Sequence, residues 1–126
     1  MDIETLTAAT RAVRQTALVP LVGTEKQTAW AAQVRAQALT TLQAEADSVA
    51  AEDAGYIARK RTAGDEAAAI RATERAIGAA AEYARAETGL RAVTSAAWWI
   101  GHRLWAGNAT ELWRAGRTLE HGGNPA

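Results

Sequence analysis

Cysteine and phenylalanine are both absent from the 126-residue sequence, and proline and histidine occur only twice each. Without cysteine there is no disulfide framework, no thiolate nucleophile and no cysteine metal site. Neither sign of charge is in excess, with 14 basic and 14 acidic residues. Net charge therefore gives no source of long-range attraction toward nucleic acid or anionic lipid. Long apolar runs are missing too. The uncharged stretch from Ala92 to Gly101 is about half of the ~20 residues a membrane-spanning helix needs. The opening residues Met1-Asp2-Ile3-Glu4 are acidic, whereas a secretory signal begins with positive charge and continues into an apolar run. The expectation is a chain with no signal peptide and no transmembrane helix, placed in the cytoplasm or within an assembled particle.

Strand-like alternation of β-branched residues is also lacking. What remains is rich in Ala, Arg, Glu, Gln and Leu, which favour helix. The hydrophobic fraction is 48%, but alanine supplies much of it, and a methyl group buries far less area than leucine or isoleucine. The core open to a single copy is therefore thin, and such chains often gain burial from a partner or from further copies. The expected fold is all-α: a long helical hairpin or a small alanine-rich bundle of four to five helices, ending in a tryptophan-rich C-terminal helix. One domain is expected over residues 1–118, followed by a flexible tail over 119–126.

Local signals place the helices. A first helix from Ile3 to about Leu18, capped by Asp2, ends before Pro20, which restricts Val19 and lacks a donor. Thr24 with Gln27 three residues later is a capping-box pattern that opens a second helix. Leu42, Val49 and Tyr56 are spaced by sevens along it, and it extends to about Ala54 or through Gly55 to Arg61. Gly64 and Asp65 then close one helix and cap the next. The third helix carries Ile70, Ile77, Ala81 and Ala84 on a narrow stripe, and Gly78 with its alanines allows a neighbouring backbone to come close. Gly89 marks a kink or an end, whereas Glu87 and Arg91 form an i,i+4 pair that favours continuity. Gly107-Asn108 is a second break. Asn108 with Glu111 resembles a further capping box for a helix reaching about Arg117. The hairpin of the second and third helices is expected to hold the first helix and the tryptophan segment at one end.

Four of the five tryptophans lie in one stretch: Trp98, Trp99, Trp105 and Trp113. On one continuous helix Trp98, Trp105 and Leu112 share a line. His102 sits beside that line, Leu104 and Trp113 flank it, and Arg103 and Arg114 occupy the opposite face. Trp99 points about 100° away from Trp98. Two readings follow. Aromatic residues at helical spacing form a bundle core, or they form an exposed interface, since Trp and Arg are enriched in binding hot spots. In the second reading the interaction residues are Trp98, Trp99, His102, Arg103, Trp105, Leu112, Trp113 and Arg114, with the displaced Trp99 as the first docking candidate.

Catalytic and cofactor signatures do not assemble. There is no His-Glu-x-x-His, no EF-hand loop and no glycine-rich phosphate loop. No cofactor, metal or catalytic residue is expected, although His102 on the aromatic face is the residue an enzyme would use. Glu45, Asp47, Glu52 and Asp53 read as a solvated acidic face. Arg59-Lys60-Arg61 reads as favourable charge at a helix C-terminus. Asn108-Ala109-Thr110 is a chance glycosylation sequon.

The expected function is that of a non-catalytic helical assembly protein that oligomerises or docks a protein partner through the Trp/Arg surface. A membrane surface is the weaker partner, and nucleic acid is unexpected. The alternative is an internal or connector component of a phage virion, or a peripheral membrane protein using the amphipathic tryptophan segment. Compact alanine-rich helical chains without cysteine occur among such virion proteins.

Overall fold

A computed structural model describes residues 3–122, with side chains described through Glu120. Among the described residues there are five α-helices and no strand. They are α1 (Ile3–Gln15), α2 (Glu25–Thr62), α3 (Glu66–Arg91), α4 (Ala96–Gly101) and α5 (Ala109–Gly122), with a 3-10 segment (Arg103–Gly107) between the last two. The all-α helical bundle expected from composition is the observed fold. The helix α2 alone is about 57 Å long at 1.5 Å per residue.

The turn chemistry explains the boundaries. Thr24 Oγ1 accepts from Gln27 N at 3.2 Å, and Thr24 N donates back to Gln27 Oε1 at 3.0 Å, so the capping box is complete. At the other end of α2 the Asp65 amide donates to the Lys60 carbonyl and the Gly64 amide to the Arg61 carbonyl. This paired closure needs a left-handed residue, which Gly64 supplies at φ 79°. Asp65 then caps α3 through Ala68 N at 3.1 Å. The basic run Arg59-Lys60-Arg61 occupies the last turn of α2, as its charge suggests. The Asp2 cap lies outside the described residues.

The hairpin α2–α3 is packed differently at its two ends. Toward the start of α2 and the end of α3, the core comprises Ala31, Val34, Ala38, Leu39, Leu42, Ala86, Leu90, Val93, Ala96, Trp99, Ala106 and Leu112. Toward the hairpin turn, the buried cluster is reduced to Ile57, Ala69 and Ala72, with Ala76 beside them. The heptad stripe of α2 drifts out of the core along its length. Leu42 is buried, Val49 half-buried and Tyr56 exposed, while Ile57 turns inward instead. A straight helix with 3.6 residues per turn rotates a seven-residue repeat by ~20° each time, which accounts for this. On α3 the expected stripe is corrected: Ile70 is 50% exposed, and the alanine face at 69 and 72 meets α2.

Close backbone approach occurs at Gly89 and Gly116, not at Gly78. A Cβ at Gly89 would overlap the Gly116 carbonyl, and one at Gly116 would overlap the Ala86 carbonyl, whereas Gly78 faces open space. Glycine at both positions lets α3 and α5 cross in backbone contact. The α3 helix runs through Gly89 to Arg91.

The first helix does not pack at the tryptophan end. It lies along the hairpin, from Ile3 beside Ile57 and Thr73 to Arg14 beside Asp47 and Glu87. It ends at Gln15 rather than near Leu18, and only Leu6 on it is buried. Two arginines hold the chain that follows: Arg91 Nη2 donates to the Thr16 carbonyl, and Arg35 Nη1 to the Val19 carbonyl at 2.7 Å. Burial, reinforced by Arg91, pulls the Arg35 guanidinium below its ordinary pKa. Val22 then bridges to Ser95, its amide donating to the Thr94 carbonyl and its carbonyl accepting from Ala96 N. The α5 helix continues through Gly122 with Leu119 packed on the core, so residues 119–122 are helical. Residues 123–126 lie outside the described part.

Candidate functional site

The tryptophan-rich segment, expected to break once at Gly107-Asn108, is three pieces. Ser95 Oγ accepts from Trp98 N at 3.1 Å and starts α4, which stops after six residues. His102 lies at the junction, outside helical geometry at φ −108° and ψ 17°. The chain then tightens into the 3-10 segment, and Asn108 Oδ1 caps α5 through Glu111 N at 3.2 Å. The second half of a capping box is not made: the Asn108 amide donates to the Trp105 carbonyl at 2.8 Å, and the Glu111 carboxylate bonds Arg114 at 3.4 Å.

This break redistributes the eight expected interaction residues. Trp99 is 1% exposed and Leu112 is 2% exposed. Both belong to the core, so the expectation that Trp99 is the displaced docking residue is overturned. The reason is packing: α4 presents Ala96 and Trp99 to α2, three residues apart on one face. The buried indole is also satisfied, its Nε1 donating to the Val93 carbonyl at 3.2 Å.

Trp98, His102 and Trp105 do come together. The Trp98 and His102 rings stack at 4.3 Å with 28° between planes, and His102 meets Trp105 at 4.6 Å and 51°. His102 Nδ1 is 2.7 Å from the Trp98 carbonyl. A carbonyl only accepts, so Nδ1 carries the proton and donates. The ring is thus fixed between two half-buried indoles. Trp98 also meets Trp99 edge-on at 5.1 Å. Trp113 is half-buried on α5 with Arg117 over its ring at 6.0 Å. Arg114 is exposed and paired with Glu111.

Arg103 departs from the expected opposite-face strip. Its Nη1 donates to the Ile100 carbonyl at 2.9 Å, and its guanidinium lies 5.4 Å from the centre of the Trp30 ring. Trp30, on the first turns of α2, is 48% exposed. It had no expected role, and the signal for it was only its position just inside a capped helix start. Leu104 follows Arg103 and is 86% exposed. Periodicity placed Leu104 beside the Trp98–Trp105 line; Gly101, which precedes the departure from the helix, was the sign that the period would fail. The 3-10 segment that carries Leu104 is anchored to α2 by Thr41 Oγ1, which donates to the Ala106 carbonyl at 2.6 Å. Val22, bonded to the start of α4, is a further exposed apolar residue at this end.

The acidic run resolves into separate roles. Asp47 is not simply solvated: both its oxygens accept from Arg14, at 3.0 and 3.2 Å. Glu45 acts on Tyr83, whose pKa is raised by burial and then by that carboxylate. Glu87 is buried and bonded to Gln43 at 3.1 Å and Arg91 at 3.2 Å, so the i,i+4 pair is present. Among the described residues no group of three His, Asp or Glu side chains could hold a metal ion, and no helix is long and apolar enough to cross a membrane. No known protein family, characterised protein or solved structure matches this chain.

Proposed function

We propose that this protein is a non-catalytic assembly module in which a second copy of the chain docks on the end marked by Trp30, Arg103 and Leu104. Leu104 is the observation that carries the reading. A leucine exposed to 86% on a segment pinned to α2 presents apolar area already fixed in place. A fixed anchor loses little conformational freedom on docking. Beside it, Trp30 and Arg103 are the residue types most enriched in binding hot spots. Zero net charge means that copies do not repel one another. The aromatic stack of Trp98, His102 and Trp105 supports this face from within.

Solution mass measured by light scattering over a concentration series tests the proposal. The expected result is a dimer or larger assembly for the wild type. Leu104→Glu is expected to be monomeric, with an unchanged circular dichroism spectrum. A wild type that is monomeric at every concentration overturns it.

A second reading, docking to a membrane surface, is favoured by one observation: Trp, Leu and Arg stand together at one exposed end, as in interfacial anchors. Co-flotation of the wild type with anionic liposomes, lost in Leu104→Glu, would select it.

A further inference from the structure

We infer that the protein has a second, separate site: a cavity under α1 that binds a medium-chain carboxylate, with the chain between the helices and the head at Arg11 and Arg14. The cavity lies among α1, α2 and α3 and measures about 330 Å³. That is within the range of small-molecule sites, which pair a mostly apolar lining with a few convergent polar groups. Leu6, Leu42, Ala46, Ile77 and Ala80 supply the apolar lining. The space exists because α1 buries only Leu6, while alanines face it from the two helices below.

The polar end has an unmet need. Arg14 lines the cavity, and Asp47 takes both of its terminal nitrogens. Its Nε is buried without a hydrogen-bond acceptor. The nearest carboxylate oxygen, Glu87 Oε1, is 3.7 Å away, beyond hydrogen-bond reach. Glu87 is instead drawn to Gln43 and Arg91. A buried donor without an acceptor calls for one. Arg11 also lines the cavity, and among the described residues no carboxylate pairs with it. Arg11 and Arg14 share the cavity wall with the carboxylates of Asp47 and Glu87, and Arg91 holds Glu87 from outside the lining. A ligand carboxylate supplies the acceptor that Arg14 Nε lacks and a charge partner for Arg11, and guanidinium is the group best shaped to receive it. An ammonium head would meet Arg11 with like charge, and a neutral head would leave Arg11 without a charge partner.

Titration calorimetry of the full chain with decanoate, decanol and decylamine tests this. Saturable one-to-one binding of decanoate is expected, with decanol weaker and decylamine undetected. Arg11→Gln, at an exposed position, is expected to weaken decanoate roughly tenfold without moving the melting temperature of the ligand-free protein. Ala80→Phe is expected to fill the cavity and remove binding. If that variant does not fold, Arg11→Gln still decides. Absence of saturable decanoate binding, equal binding of decylamine, or unchanged affinity in Arg11→Gln would overturn the assignment. The cavity lining does not include Trp30, Arg103 or Leu104, so Leu104→Glu is expected to keep it.

Discussion

The two ends of the α2–α3 hairpin are made from the same kind of helix and packed in opposite ways. At the end holding α4 and α5, one buried indole and a set of leucines fill the space, and two glycines bring helix backbones into contact. At the turn end, Ile57 and three alanines carry the packing. The first end is densely packed and carries Val22, Trp30 and Leu104 exposed on it. The second is a slender arm with α1 laid along it and a cavity beneath. In an alanine-rich chain the few large residues decide which end is tightly packed, and their sequence position does not reveal which of them are spent on the core.

The contrast is broken most directly by Trp99→Ala, which should cost about 4 kcal/mol in urea unfolding. Trp30→Ala, at the same end but on the surface, should cost less than about 0.5 kcal/mol. Equal losses would mean that the core is not centred on Trp99. Next in size, Gly116→Ala drives a methyl group into the Ala86 carbonyl, with an expected loss of about 3 kcal/mol by thermal unfolding. Gly78→Ala, in an open helical position of α3, should instead gain roughly 0.5 kcal/mol. A gain at both positions would remove the close α3–α5 crossing from the account.

Ile57→Ala sharpens the comparison from the arm side. A loss of about 2 kcal/mol is expected, together with faster tryptic cleavage at Arg59 and Arg61 and no change in Trp emission from the other end. An emission change of the size seen for global unfolding would show that the arm and the bundle end melt as one unit. The smallest effect belongs to Tyr83, at the border of the two regions. The folded protein holds its phenolic proton more tightly than the unfolded chain, so its raised pKa makes stability fall as pH rises past the ordinary tyrosine value of about 10. Tyr83→Phe should flatten that part of the stability–pH curve, and an unchanged slope would assign the dependence elsewhere.

Much of the fold was legible because its signals are local. Thr24 with Gln27, Gly64 with Asp65, and Asn108 each act within a few residues, and each cap lies where the chain suggested. The path of α1 was not legible, since its docking depends on Arg14 finding Asp47, 33 residues away. The site was read half correctly. Trp98, His102 and Trp105 meet, but through a helix break and not through a continuous face. Assuming continuity set Leu104 beside the Trp98–Trp105 line and displaced Trp99 from it, whereas Leu104 is exposed and Trp99 is in the core. The partnership of Arg103 with Trp30 joins segments more than seventy residues apart, and no periodicity within one helix can report such a contact.

In the proposed assembly, copies of this chain meet at the Trp30–Leu104 end while Trp99 stays in the core. Amide hydrogen exchange compared at low and high protein concentration tests it most directly. Added protection is expected at high concentration over the 3-10 segment and the first turns of α2, with α4 around Trp99 already protected at both concentrations. Added protection confined to the arm near Gly64, or none anywhere, would contradict it.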